Sequence, residues 1–267
     1  MSIKLLLSDV DGTLVRADKS LSAASVEAVQ ALHDAGVHFA VTSGRPPRGM
    51  EMLVEPLSLR TPISGFNGGL VVEPAMTVLE ERTIPDEIVP RAIEILERSA
   101  LSVWVYRGAE WLVRDPDGPH VEREAHTVQF EPSVVDDFGS AHVAKVVGVS
   151  DDYDAVAAAA DTARAELGDH VSASRSQPYY LDITHPQANK GAVVDFLAER
   201  YAIEPEEIAT IGDMPNDVLM FARSGTSIAM GNAHREVQRA ARHVTATNDE
   251  DGFAHAVHRF VLNERSQ

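Results

Sequence analysis

The chain has 267 residues, no cysteine, a hydrophobic share of 44% and a formal net charge of -18 at pH 7. This length and composition fit a globular protein with one large domain or two modest ones, and the lack of cysteine excludes disulfides, thiolate metal sites and a cysteine nucleophile. The negative charge repels nucleic acid and anionic membrane, so neither is expected as a partner, and an anionic ligand needs a locally positive site to bind.

The start, MSIKLLLSDVDG, carries an apolar run too short for a signal peptide. No run approaches the ~20 residues of a spanning helix, so a cytoplasmic location is expected. Ile3 to Leu7 reads as a buried parallel strand that runs into SDVDGTLV. From Ser22 to Ala35, Val26, Val29 and Leu32 fall at helical spacing, with Ser22 as N-cap and Gly36 as the stop. Val37 to Val41 is a second strand ending in TSGR, and Pro46 and Pro47 suit the opening of another helix. Ile63 to Phe66 is a third strand, ending in NGG. The alternation of strand and helix predicts right-handed parallel crossovers.

After residue 70 the rhythm changes. Leu70 to Val72 and Val78 to Arg82 read as a hairpin, and a helix covers Asp86 to Ser99. Strands follow at Leu101 to Tyr106, Trp111 to Arg114, Val143 to Val149, Val171 to Ser174 and Tyr179 to Thr184, broken by an alanine-rich helix from Tyr153 to Leu167. The parallel rhythm returns with a helix over Lys190 to Tyr201 and a strand, Ile208 to Ile211, ending in GDMPND. A helix over Val218 to Arg223, a strand over Thr226 to Ala229 and helices over His234 to Ala241 and Gly252 to Leu262 complete the chain. The expected fold is α/β: a doubly wound, parallel, Rossmann-like sheet core from residues 1–84 and 186–267, interrupted by an inserted α+β cap over 85–185.

Ligands of open parallel sheets bind beyond the carboxyl ends of the strands. DVDGT, TSGR, NKG and GDMPND fall at or beside such ends. Asp9 and Asp11 repel each other unless something positive sits between them. With Asp213 and Asp217 they supply enough oxygen to hold a hard cation such as Mg²⁺. Lys190 opens a predicted helix against its dipole, which points to a tertiary reason for its place. Thr42, Ser43 and Gly44 offer a hydroxyl and backbone N–H groups to phosphate oxygens, and Gly12 lets the backbone approach a ligand. Each feature alone has an ordinary reading: a capping aspartate, a solvated lysine, a Ser-Gly turn. Their order along the chain sets them apart.

These four motifs, with the insertion between TSGR and NKG and the further signatures NGG, LDI, MGNA and EDG, resemble the haloacid dehalogenase superfamily of phosphohydrolases, specifically its Cof-like type IIB subgroup. The resemblance implies an aspartyl-phosphate mechanism. Asp9 is then the nucleophile. Asp11 protonates the leaving oxygen and later deprotonates water. Mg²⁺ is held by the Asp9 carboxylate, the Asp11 backbone carbonyl and Asp213, with Asp217 and Asn216 orienting that shell or reaching the metal through water. Ser43 donates to the phosphoryl group, Lys190 offsets its charge, and Arg45 reaches either the phosphate or a cap acid. An ordinary aspartate is rarely protonated at neutral pH, so cap closure is expected to favour the protonated form of Asp11.

The cap is expected to choose the substrate. Arg175, Tyr180 and Asp182 are the candidate contacts, and Trp104, Tyr106 and Trp111 are read as packing. A small phosphorylated metabolite is expected, with a sugar phosphate favoured by the subgroup resemblance. The alternatives are a phosphomutase or phosphotransferase using the same intermediate, and a non-catalytic phosphate-ligand sensor. No apolar stripe marks an interface, so the oligomeric state is open.

Overall fold

The computed structural model describes residues 2–263. Its first strand, β1 (Leu5–Asp9), is buried along its whole length, which fits the unbroken apolar run of a central parallel strand. Helix α1 (Ala23–Asp34) starts where the Ser22 side chain accepts from Ser25 N–H, one of the donors a helix leaves unsatisfied at its start. Then come β2 (His38–Thr42), β3 (Ile63–Gly65), β4 (Leu70–Val72) and β5 (Val78–Glu81). The second segment holds α2 (Val89–Arg98), β6 (Ser102–Arg107), β7 (Glu110–Val113), α3 (Val121–Val128), β8 (Ser133–Val134), β9 (Val143–Val149), α4 (Tyr153–Leu167), β10 (Ser172–Gln177) and β11 (Tyr180–Thr184). The third holds α5 (Lys190–Tyr201), β12 (Ile208–Gly212), α6 (Val218–Phe221), β13 (Thr226–Ala229), α7 (Arg235–Ala240), β14 (His243–Val244) and α8 (Gly252–Ala256).

Two sheets result. One has the order β14-β13-β12-β1-β2-β3-β4-β5; it is parallel from β14 to β3 and antiparallel through β4 and β5. Alternation along β1 sends Leu6 to one face and Leu5 and Leu7 to the other. Leu6 joins Ala28, Val29 and Leu32 of α1 and Phe253 and Ala254 of α8. Leu5 and Leu7 join Val193, Val194 and Leu197 of α5 and Met220 of α6. Helices on both faces make this the doubly wound, Rossmann-like core. β1 lies between β2 and β12, with Asp9 opposite Thr42 and Ser8 opposite Ile211. That register brings the ends of three strands, and their turns, to one edge.

The second sheet, β10-β11-β9-β6-β7-β8, is the cap. Val103, Val105, Val146, Leu181 and Ile183 pack on one side against Ile95 and Leu96 of α2 and Val156, Ala159 and Ala160 of α4. Its other side, with Trp104, Tyr106, Trp111 and Val147, belongs to the same apolar cluster as Phe66, Met50 and Leu53 of the core.

Five details differ from the sequence reading. Helix α3 and strand β8 were not foreseen; β14 is a two-residue strand with little pattern to read. Pro46 and Pro47 open a 3-10 stretch, Pro47–Leu53, rather than an α-helix. The last helix changes to π geometry over Val257–Val261. Among the described residues, no helix is long and apolar enough to cross a membrane.

Candidate active site

Asp9, Asp213 and Asp217 are buried, and each offers one carboxylate oxygen within 4.8 Å of the others. Lys190 lies among them with a side chain 2% exposed, its Nζ donating to Asp9 Oδ1 at 2.5 Å and to Asp217 Oδ1 at 2.6 Å. The helix dipole argument is met: Asn189 caps α5 by accepting from Ala192 N–H, and Lys190 follows in the first turn. Asp217 is fully engaged, because its Oδ2 accepts the backbone N–H groups of Asp213 and Met214 at 2.9 and 2.8 Å. GDMPND folds this way locally. Pro215 opens a one-turn 3-10 helix, and Gly212 leaves room where a Cβ would fall 2.3 Å from Asp217 Cγ.

Burial and the charges of Asp217 and Asp213 push Asp9 well above the ordinary carboxylate range, against the pull of Lys190. Burial and Asp217 likewise push Asp213 up to about 6. Burial would lower Lys190, but the Asp217 and Asp9 charges outweigh it and raise its pKa. Three acids around one ammonium are short of positive charge.

The residues present fit a divalent cation. Asp9 Oδ2 is buried and has no hydrogen-bond partner among the described residues. Gly12 has φ of +80°, and a Cβ there would sit 2.4 Å from Asp213 Oδ2, so only glycine leaves space beside that oxygen. The donor set is all oxygen, as a hard ion requires. Asp213 is held by Thr13 Oγ1 (3.3 Å) and Asn232 Nδ2 (3.4 Å), and Asn232 also donates to the Gly12 carbonyl at 2.9 Å.

The Asp11 carboxylate stands apart from this group. Arg45 forks onto it, Nε to Oδ2 at 2.7 Å and Nη2 to Oδ1 at 2.6 Å, and Lys19 Nζ reaches Oδ1 at 2.6 Å. Burial pushes Asp11 up, but Arg45 and Lys19 more than offset it and hold the carboxyl at about 2. The expectation that closure favours the protonated acid is therefore reversed here: the same enclosure that dries Asp11 also surrounds it with cations. Arg45 meets neither of the partners expected for it. Its Nη1 donates to the carbonyls of Gly49 (3.2 Å) and of Thr127 (2.8 Å) on cap helix α3, so it joins a core acid to the cap backbone.

A cleft of about 450 Å³ lies between the sheets. Asp9, Asp11, Ser43, Gly44, Arg45 and Asn216 line it from the core, and Arg175, Tyr180 and Asp182 line it from the cap. Ser43 Oγ accepts from Arg45 N–H at 3.1 Å. Thr42 and Gly12, expected at the phosphate, do not line the cleft. Thr42 is wholly buried beside Asp9 in the sheet, and Gly12 abuts Asp213 instead. Trp104, Tyr106 and Trp111 are buried, with the Trp111 ring in contact with both of the others.

Among the lining residues that were missed are Lys19, Asn67, Arg123, Glu124 and Lys145. The NGG signature pointed to Asn67, which accepts from Asn216 Nδ2 at 3.0 Å. At the next residue, Gly68 (φ +102°), a Cβ would strike the Asn189 carbonyl at 2.7 Å, so this loop packs directly on NKG. Val121, Ala125 and Val128, buried at spacings of four and three, carried the signal for α3 and so for Glu124.

A parallel sheet ending in acids beneath a roof with a core of its own is the architecture of a capped phosphoric monoester hydrolase. The chain belongs to the haloacid dehalogenase-like hydrolase family, which it matches over residues 6–257, and to its Cof-like branch. It is 29% identical over 260 residues to a putative phosphatase of Haemophilus influenzae, covering 95% of this chain and 97% of that one. It is 27% identical over 263 residues to the 5-amino-6-(5-phospho-D-ribitylamino)uracil phosphatase YitU of Bacillus subtilis, covering 94% of each. A solved haloacid dehalogenase-like hydrolase from Bacteroides thetaiotaomicron superposes with a TM-score of 0.90 at 30% identity, covering 97% of this chain and 99% of that chain.

Proposed function

We propose that this enzyme is a Mg²⁺-dependent phosphatase of a small phosphorylated metabolite, a sugar or polyol phosphate, acting through an aspartyl-phosphate on Asp9. The observation that carries the reading is the placing of Asp9: it lines the cleft, Lys190 holds its Oδ1, and its buried Oδ2 has no hydrogen-bond partner among the described residues. One Asp9 carboxylate oxygen forms a bond to phosphorus as the bond to the ester oxygen breaks, and that ester oxygen takes a proton from Asp11. Asp11 then accepts a proton from water, whose oxygen attacks phosphorus and releases phosphate and Asp9.

Asp9, Asp213 and the Asp11 carbonyl are the groups we assign to the ion. Asp217, with both oxygens already engaged, orients Lys190 and the turn rather than binding directly. When bound, Mg²⁺ neutralises charge on the phosphoryl oxygens. Ser43, Gly44 and Asn216 surround the phosphoryl position, with Lys190 supplying positive charge from below. The clamp on Asp11 has a functional sense. A phosphate dianion entering beside Lys19 and Arg45 competes for both cations, loosening their hold on Asp11 just as a proton is needed.

The polyol leaving group is favoured by the relative named for a phosphoribitylamino compound, whose phosphate sits on such a chain. We set the cap boundaries near residues 84/85 and 185/186. β5 leaves the core sheet at Glu81 before α2 begins at Val89, and β11 leaves the cap sheet at Thr184 before α5 begins at Lys190. The test is a phosphate-release screen over phosphorylated metabolites with Mg²⁺. Asp9→Asn is expected to lose at least about 1,000-fold in turnover; wild-type turnover in that variant would remove the nucleophile assignment.

A further inference from the structure

The cap sheet turns a mixed face toward the catalytic acids. Tyr106 on β6, Lys145 on β9 and Thr184 on β11 are in register, as are Trp104, Val147 and Asp182 one pair further along. Most of this face is aromatic or apolar and joins the core cluster. Asp182, 6% exposed, and Lys145, with a side chain 12% exposed, are exceptions. Lys145 Nζ lies 3.0 Å from Asp182 Oδ1 but out of line for a hydrogen bond, so that buried oxygen has no hydrogen-bond partner among the described residues. Glu124, on α3, accepts from the Tyr106 hydroxyl at 2.9 Å and lines the same cleft as Asp182 and Lys145.

Burying two ions whose contact is only partly made costs more than an apolar pair of equal size. A carboxylate oxygen that lines a cleft, nine-tenths buried and held by one misaligned ammonium, has room for a further donor. The chemistry of the group narrows what fills it. Two carboxylates only accept and an ammonium only donates, whereas a hydroxyl does both, so neighbouring hydroxyls satisfy the whole set. A ligand amine would face the Lys145 ammonium, and a second ligand anion would face both carboxylates. Arg123, the nearby cation on α3, lies over the Tyr179 ring at 5.1 Å.

We propose that Asp182, Lys145 and Glu124 are specificity-determining residues that bind adjacent hydroxyls of an uncharged, polyhydroxylated leaving group, Asp182 Oδ1 and Glu124 accepting and Lys145 donating. The inference rests on the phosphatase reading above and names the groups that select its substrate.

The test measures kcat and KM on glucitol phosphate, phosphoethanolamine, phosphoglycolate and p-nitrophenyl phosphate, for the wild type and for Lys145→Met, Asp182→Asn and Glu124→Gln. Wild type is expected to favour glucitol phosphate over each of the other three by about tenfold or more in kcat/KM. In the variants, the ratio of kcat/KM for glucitol phosphate to that for p-nitrophenyl phosphate is expected to fall by about 10- to 100-fold, mostly through KM. Glu124→Gln, at a half-buried position, carries the same test should the buried Asp182→Asn fail to fold. Parallel loss on both esters, an unchanged ratio, or wild-type preference for the amine or the second anion overturns the inference and leaves the phosphatase reading intact. A wild type that releases phosphate from none of the four overturns both.

Discussion

The floor and the roof of the cleft handle buried charge in different ways. In the floor, Lys190 makes two short ion pairs, and backbone N–H groups saturate the far oxygen of Asp217. In the roof, Lys145 and Asp182 make a single ion pair that is poorly aligned for a hydrogen bond. The floor's side chains are held in place by the protein itself, with one oxygen, Asp9 Oδ2, left without a hydrogen-bond partner among the described residues, and such fixed charges suit the stabilisation of a transition state. On the specificity proposal, a ligand's hydroxyls complete the roof. Chemistry common to every substrate belongs in the first kind of site, and discrimination among substrates in the second.

This contrast can be broken at four points. Removal of divalent cations with EDTA should have the largest effect, lowering phosphate release by at least about 100-fold with full recovery on adding Mg²⁺; activity that survives the chelator would mean the floor is complete without an ion. Lys190→Met leaves Asp9 and Asp217 buried without their shared cation. It should cost about 3 to 5 kcal/mol of stability in denaturant titration, and an unchanged midpoint would show that the floor tolerates unpaired charge.

Arg45→Lys keeps the charge but loses the fork on Asp11 and the reach to Thr127. A drop of about 10- to 100-fold in kcat/KM with little change in folding is expected from steady-state kinetics; wild-type kinetics would show that the fork does not position Asp11. The smallest effect should come from Gly12→Ala, which sets a methyl against Asp213 at a left-handed φ. Thermal denaturation should register about 1 to 3 kcal/mol, and the Mg²⁺ concentration needed for half activity should rise. A variant with native stability and native Mg²⁺ demand would mean that Asp213 moves aside freely.

The same contrast explains what could be read from the chain alone. Asp9 ends β1, Asp213 and Asp217 lie in the turn after β12, and Lys190 opens α5 behind its Asn189 cap; in such places a few consecutive residues fix the backbone and the direction of the side chain, so DVDGT, NKG and GDMPND carry their geometry with them. Asp182 was visible as the polar member of an alternating strand. Lys145 was not, because its meaning depends on β9 lying between β6 and β11, a register set by distant segments. Glu124 was lost with its helix: α3 is only 8 residues long and rich in charge, and its apolar stripe is three residues wide. The clamp on Asp11 depends on Lys19 and Arg45, 8 and 34 positions away, meeting at one carboxylate. Proximity to Asp9 in sequence suggested a shared ion; proximity in space gave Asp11 cations of its own.

The apolar cluster that runs without a break from the α1 face of the sheet through Phe66 to Tyr106, whose rings lie 5.3 Å apart, has a consequence for the joint between core and cap. Separating the two layers would expose aromatic carbon that is buried between them, so their apposition draws on the hydrophobic effect. That contribution weakens on cooling and in dilute urea.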